Sequence, residues 1–284
     1  MPRCGLAAVP VALVVIATLL LSITFSVSVA RRDVAPFFPY ISFLGSKPPE
    51  SIVFSYLLYV SSLLVFASSF VRYRLVKLSS SDLSKHSRRL NIAGFILSVL
   101  ASIGMSVVAT VRITEVYSIH MLGAGLFFWP STTYCILQTV LSYLMLTSQG
   151  NGTVCRLRLV LSILSSISIF TCLVSSIYAG IGWSRVQHHV NDKPHWQLED
   201  GGYAAHLVSA FTELMMVSSF VLYFLTFIPE FYSVQLQVIL ISCDRNSSGC
   251  FADKFGIERC QNGQSYHLLS EEDSEEEMTV ISNT

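Results

Sequence analysis

The sequence predicts an all-α membrane protein, a six-transmembrane-helix bundle with a disordered acidic cytosolic tail, and three observations predict it. The chain is 52% hydrophobic and only 13% charged, with a mean hydropathy of +0.58, whereas soluble domains carry about 25% charged residues. Six stretches are long and apolar enough to cross a bilayer core about 30 Å thick, which takes roughly 20 helical residues. Beyond Cys243 the chain turns polar and then strongly acidic. Two parts follow, a transmembrane domain over 1–232 and a cytosolic tail over 233–284. The formal net charge is +0, so no overall field draws in nucleic acid, and electrostatic roles fall to local clusters.

The first stretch, Gly5 to Ala30, has small residues at Ser28 and Ala30 that would suit signal peptidase. Its apolar run exceeds the 7 to 15 or so residues of a signal-peptide core, so it is expected to stay as the first helix. The second and third, Ile52 to Val71 and Ile92 to Val111, flank a basic connection. The fourth, Met121 to Thr147, is interrupted by Trp129-Pro130, where the missing N–H and the ring predict a kink. The nine residues Arg112 to His120 predict an antiparallel hairpin of helices three and four, with Arg112 and Glu115 paired at its mouth. The fifth, Leu159 to Ser184, carries Ser162, Ser165, Ser166, Ser168, Ser175 and Ser176. These serines, with Gly94, Gly104, Gly123 and Gly125 in helices three and four, suit close helix approach and interhelical hydrogen bonds. The sixth, Ala204 to Ile228, contains two polar intruders, His206 and Glu213.

Orientation follows from the Lys/Arg bias of short connections. Arg3, Arg72, Arg74, Lys77, Lys85, Arg88, Arg89, Arg156 and Arg158 fall on one side, against Arg31, Arg32, Lys47, Arg112, Arg185 and Lys193 on the other. The first set marks the cytosolic side and places both termini there. None of the seven cysteines lies in a connection on the opposite, oxidising side. Cys4, Cys155 and Cys243 sit near helix ends, where either palmitoylation or a free thiol fits. Cys243, Cys250 and Cys260 lack the paired spacing of a zinc site. The sequons at Asn151 and Asn246 face the cytosol in this reading and are expected to stay bare.

Glu213 is the costliest residue in any span, because an ionised carboxylate in hydrocarbon must be paired, protonated or turned to water. His206 precedes it by two turns on the same face, so the pair can line one polar groove. Two readings stay open, a ligand or proton switch and a hydrogen-bonded residue that fixes packing. The loop Trp183 to Tyr203 holds His188, His189, Asp192, His195, Glu199 and Asp200 without compact metal-ligand spacing, and no metal or cofactor is expected. Its aromatics Trp183, Trp196 and Tyr203 are expected to anchor at the membrane interface. Nucleophile-elbow, zinc-protease, phosphate-loop and dinucleotide motifs are absent from the sequence, so catalysis is not expected.

In the tail, Tyr232 to Ile241 is an apolar segment too short to span, suited to lying on the membrane. The acidic cluster Glu271, Glu272, Asp273, Glu275, Glu276 and Glu277 cannot bury enough apolar surface to fold. Before it, Tyr266-His267-Leu268-Leu269 has the tyrosine-x-x-hydrophobic form that clathrin adaptors read in extended peptides, with Tyr266 and Leu269 as the two anchors. Arg72, Arg74, Lys77, Arg88 and Arg89 are candidates for contact with anionic lipids.

The segment Asp33 to Ser42, which closes on Pro39-Tyr40-Ile41-Ser42, together with Gly45 and Pro48-Pro49-Glu50, resembles the damage-regulated autophagy modulator (DRAM) family. His195-Trp196, Glu199-Asp200, Gly202-Tyr203, His206, Glu213 and Phe224-Leu225-Thr226 are similar to the same family's approach to its last helix. The resemblance runs from Asp33 to Tyr232, leaving out the first helix and the tail. It implies a six-helix lysosomal or endosomal membrane protein that promotes autophagy, with a link to cell death and no enzymatic activity to transfer. Two other functions stay open: a transporter or channel using the His206 and Glu213 groove, and a plasma-membrane scaffold in phosphoinositide regulation.

Overall fold

The computed structural model describes residues 5–78, 84–146, 151–185 and 195–232, and the backbone of 234–238, 255–261 and 264–266. Two units are distinguished, Val9–Phe227 and the one that holds Ile228–Thr284. The first is built from six long helices: α1 (Ala8–Ala30), α2 (Glu50–Leu78), α3 (Lys85–Thr110), α4 (Tyr117–Leu144), α5 (Gly152–Ser184) and α6 (Tyr203–Leu225). All but α4 are long and apolar enough to cross a membrane. At 28 residues α4 has the length, but His120, Gln138 and several serines and threonines dilute its apolar side chains. Many of these polar groups are buried and bonded inside the helical unit, so they do not meet hydrocarbon.

Several helices extend past their charge-free cores. α2 runs to Leu78, not Val71, and α3 starts at Lys85, not Ile92. A helix satisfies its own backbone, so a terminal Lys or Arg whose head reaches solvent does not end it. Ser84 sets the start of α3 by accepting a hydrogen bond from the Ser87 N–H at 3.3 Å. Asn151 does the same for α5, accepting from the Thr153 N–H at 2.9 Å.

Consecutive helices from α2 onward pack as antiparallel pairs. Ser62 meets Ser106 and Asn91 donates to the Tyr73 carbonyl across α2 and α3. Thr132 and Thr139 of α4 meet Ser165 and Ser162 of α5, the interhelical use expected of the serines. The α3–α4 hairpin forms as expected, with Arg112 paired to Glu115. At Gly104 a Cβ atom would stand 2.4 Å from the Phe127 backbone nitrogen, so only glycine permits this approach. Gly125 meets nothing comparable and does not serve the packing. α4 runs as one helix through Pro130.

In the second unit a short helix, α7 (Ile228–Tyr232), precedes three antiparallel strands in the order β1-β2-β3: β1 (Val234–Val238), β2 (Phe255–Gln261) and β3 (Gln264–Tyr266). This differs from the expectation of a surface-lying segment followed by an unstructured tail. Strand pairing satisfies backbone groups within these segments without needing a large apolar core. Leu269 and the acidic cluster lie outside the described residues.

Candidate functional site

The connection between α1 and α2 carries the site, because it descends into the helical unit and is gripped from three helices. Arg32 (φ 59°) and Phe38 (φ 46°) take left-handed backbone conformations that non-glycine residues adopt at a cost. Ile41–Gly45 then forms a single 3-10 turn. The Ile41 N–H donates to Glu213 Oε2 at 3.0 Å. Glu213 lies ten residues after Tyr203, about 15 Å along α6. Irregular backbone at such depth survives only when protein partners satisfy it. The carboxylate and the N–H therefore account for each other: the acid meets a donor, and the turn meets an acceptor.

His120 holds the next residue. It is 1% exposed, with Nδ1 2.6 Å from the Val111 carbonyl and Nε2 3.0 Å from Ser42 Oγ. A carbonyl only accepts, so Nδ1 carries the hydrogen, and Nε2 of the neutral ring accepts from the Ser42 hydroxyl. From α1, Ser28 donates to the Leu44 carbonyl at 3.1 Å.

His206 engages the same connection through its ring. It stacks on Trp196 with centroids 4.5 Å apart and planes within 2°, and meets Tyr40 edge-on at 4.7 Å. Trp183 packs on the far side of this group, 4.5 Å from Trp196. Trp196 thus turns inward onto His206, with Trp183 buried behind it. The α5 terminus comes this close because Gly182 faces Gly201 and Gly202 where a Cβ would lie 2.6 Å from the Gly202 nitrogen, and Gly202 itself has φ +88°. Nδ1 of His206 is buried with no hydrogen-bond partner among the described residues. His206 and Glu213 do not line an open groove; the Tyr40-Ile41 dipeptide covers one with its ring and bonds the other with its backbone. Burial pushes the Tyr40 phenol up to about 12, so it remains protonated.

A charged cluster fastens the outer part of the connection. Asp33 accepts from Lys47 Nζ at 2.9 Å and Arg31 Nε at 3.2 Å, and the buried Glu50 lies 3.6 Å from Arg31. The hydrogen bond from Lys47 holds the Asp33 carboxyl below its ordinary value.

Toward the α4–α5 connection a second set of polar residues is buried. Arg158, counted in the sequence as a connection residue, is 1% exposed. It donates to Thr226 Oγ1 and the Thr226 carbonyl, both at 2.9 Å, and to Ser142 Oγ at 2.6 Å, with its guanidinium 4.9 Å from the centre of the Phe227 ring. Arg72 also differs from its expected place. It is 4% exposed, donates to Gln138 Oε1 at 3.2 Å and lies 5.4 Å from the Phe227 ring, so it is withdrawn from lipid. Arg74 is half-buried at the end of α2, while Lys77, Arg88 and Arg89 are exposed at the ends of α2 and α3. Cys155 is buried, which removes it as an acylation site. Tyr266 ends β3, paired with Arg259. No cluster of three or more His, Cys, Asp or Glu able to hold a metal occurs among the described residues, and His188, His189 and Asp192 lie outside them.

Sequence reasoning singled out His206 and Glu213 but placed His120 only at a helix entrance and Arg158 in a loop. For His120 the signal was its adjacency to the tight α3–α4 connection. For Arg158 it was the abrupt apolar run that follows Arg156 and Arg158, which left the second side chain free to turn either way.

The family described as Frag1/DRAM/Sfk1/Cwh43P N-terminal domain matches residues 5–234, so the likeness includes α1, which the short motifs alone did not reach. Among relatives, DNA damage-regulated autophagy modulator protein 2 of Bos taurus is 34% identical over 82% of this chain and 87% of its own length. DNA damage-regulated autophagy modulator protein 1 of Homo sapiens is 30% identical over 82% and 94%. Modulator of macroautophagy TMEM150B of Danio rerio is 29% identical over 61% and 71%. No solved structure matches the chain. With the match running through the α1–α2 connection, His120, His206 and Glu213 alike, the chain belongs to the Frag1/DRAM/Sfk1/Cwh43P family.

Proposed function

We propose that this protein promotes autophagy from the lysosomal or endosomal membrane, as a non-enzymatic six-span protein with both termini in the cytosol and an influence on cell death. The observation that carries the reading is the extent of the kinship: relatives named as autophagy modulators share 30–34% of residues across more than four-fifths of the chain. The site is consistent with a role in holding one arrangement of the bundle, because His120 and Glu213 spend hydrogen bonds on the chain's own α1–α2 connection. Lys77, Arg88 and Arg89, exposed at the α2–α3 end, suit contact with anionic lipids of the cytosolic leaflet, joined by Arg74. A clathrin adaptor reading Tyr266 and Leu269 supports endosomal delivery, and it requires Tyr266 to leave its pairing with Arg259.

The test is imaging of the tagged protein, with autophagic flux measured during starvation. The wild type is expected at lysosomes, raising flux, and Tyr266→Ala at the cell surface. A wild type resident at the plasma membrane and without effect on flux overturns the reading. Proton or solute flux in vesicles of the purified protein would replace it with a transporter.

A further inference from the structure

An apolar cavity of about 70 Å³ lies between α1 and the helices it faces. Leu13 and Leu20 of α1 form one wall, and Phe54, Phe127 and Phe220 of α2, α4 and α6 form much of the rest. Glu213 is the only ionisable residue among the described residues lining it. That carboxylate is 7% exposed. Its Oε2 is taken by the Ile41 N–H, while Oε1 receives no hydrogen bond from the described residues. The two lining hydroxyls do not serve it: Ser61 donates to the Leu57 carbonyl at 2.8 Å, and Ser42 is engaged with His120. Glu213, with one oxygen that receives no hydrogen bond from the described residues, thus lines a greasy chamber.

The chemistry of the missing donor can be narrowed. Water fits by size but needs two to four polar partners to be held, and these walls are almost wholly hydrocarbon. An ammonium group brings several N–H donors, and the cavity has one vacant acceptor. A hydroxyl on an apolar body brings one O–H, which matches the site. The volume admits the hydroxyl end of such a molecule and a few adjoining carbons. The remainder can leave beside α1, which has no extensive close backbone packing against any other element, unlike α3 on α4 or α5 on α6.

We propose that this cavity binds the hydroxyl end of a neutral membrane lipid, with the O–H donating to Glu213 Oε1 and the adjoining hydrocarbon lying among Phe54, Phe127 and Phe220. The proposal rests on the chain being embedded in a membrane and not on its part in autophagy, so a failed flux assay leaves it standing.

The experiment uses the full-length protein in lipid nanodiscs, labelled by light-activated analogues of a sterol, a diacylglycerol and a ceramide. Labelled peptides are expected from α1 or α6. The unlabelled alcohol should compete about tenfold better than its O-methyl ether, the loss expected for one well-formed hydrogen bond. Glu213→Leu should lower labelling by a similar factor. Ala17→Trp, which fills the cavity from α1 and leaves Glu213 unsubstituted, should do the same. Glu213→Gln, whose one oxygen stays with the Ile41 N–H, turns an NH2 donor toward the cavity and should erase the preference for the alcohol over its ether. Which analogue labels identifies the lipid class. Equal competition by the ether, stronger competition by a long-chain amine, or unchanged labelling in a monodisperse Ala17→Trp protein each overturns the proposal. If Glu213→Leu does not fold, the comparison of alcohol with ether on the wild type still decides.

Discussion

Glu213 stabilises a backbone turn that Ser28 and His120 also hold within the bundle. Replacing it by leucine leaves the Ile41 N–H buried without an acceptor, which costs about 1–3 kcal/mol. Glutamine keeps an acceptor oxygen at the same reach, so Glu213→Gln is expected to melt within about 1 kcal/mol of the wild type while Glu213→Leu falls well below it. Thermal denaturation of the detergent-purified proteins checks this, and equal losses in both variants would show that the charge, not the hydrogen bond, matters. Asp33 makes a different prediction, set by pH. Its ordinary value is 3.8, and the folded value is depressed chiefly by the hydrogen bond from Lys47, with burial opposing the shift and Glu50 and Arg31 adding to it. A depressed acid contributes its stabilisation fully above the unfolded value and loses it as pH falls through the folded one. The melting difference between wild type and Asp33→Asn should therefore stay constant from pH 7 to about 5 and shrink only below about 4. A difference that vanishes near pH 5 would refute it and would mean that the Asp33 tie already loosens there.

At the scale of elements, α3 and α4 approach through a glycine and α5 and α6 through glycines and a buried arginine. Gly104→Val drives a side chain into the Leu126–Phe127 backbone, where nothing can swing aside. Overpacking of this kind costs about 1–3 kcal/mol or more. Gly125→Ala, at a position with open space, is expected to be neutral within about 0.5 kcal/mol or slightly stabilising through its better helix propensity. Fluorescence-detected size exclusion after a heating series distinguishes the two, and a tolerated Gly104→Val would mean that the hairpin can open. The β strands show what element-level reading passed over. Val234, Leu236 and Val238 alternate with Gln235 and Gln237, a period of two that marks a strand. Asn262-Gly263, the pair that two-residue hairpin loops favour, separates β2 from β3 in sequence. Length and apolarity drew the first segment toward the membrane surface, and polarity drew the second toward disorder, so the short-range pattern was outweighed.

For the molecule as a whole, orientation across the membrane is the property on which localisation and partners depend. The basic ends of α2 and α3 are expected in the cytosol. A single cysteine placed at Arg89, exposed in the first turns of α3, should react with an impermeant maleimide once the plasma membrane alone is permeabilised. Asn151 and Asn246 should show no mobility shift on glycosidase treatment. Protection of that cysteine until organelles are lysed, or a glycan at either asparagine, would reverse the assignment.

The sequence by itself determined that this chain is a helical membrane protein, where most of its helices lie, and which family it resembles. Those properties are local: apolar runs, helix-breaking residues and short motifs carry them without reference to distant parts of the chain. It also flagged Glu213 and His206, since a polar group inside an apolar run is anomalous wherever it occurs. Tertiary structure alone decided what those residues do. The Ile41 N–H and Glu213 are 172 residues apart in the chain, and Ser42 and His120 are 78 apart. Nothing in a one-dimensional pattern says which buried donor will meet which buried acceptor. The same holds for Arg72 and Arg158: their flanking sequence suits a lipid-facing or an inward side chain equally, and only the hydroxyls, the carbonyl and the Phe227 ring on neighbouring helices resolve the choice.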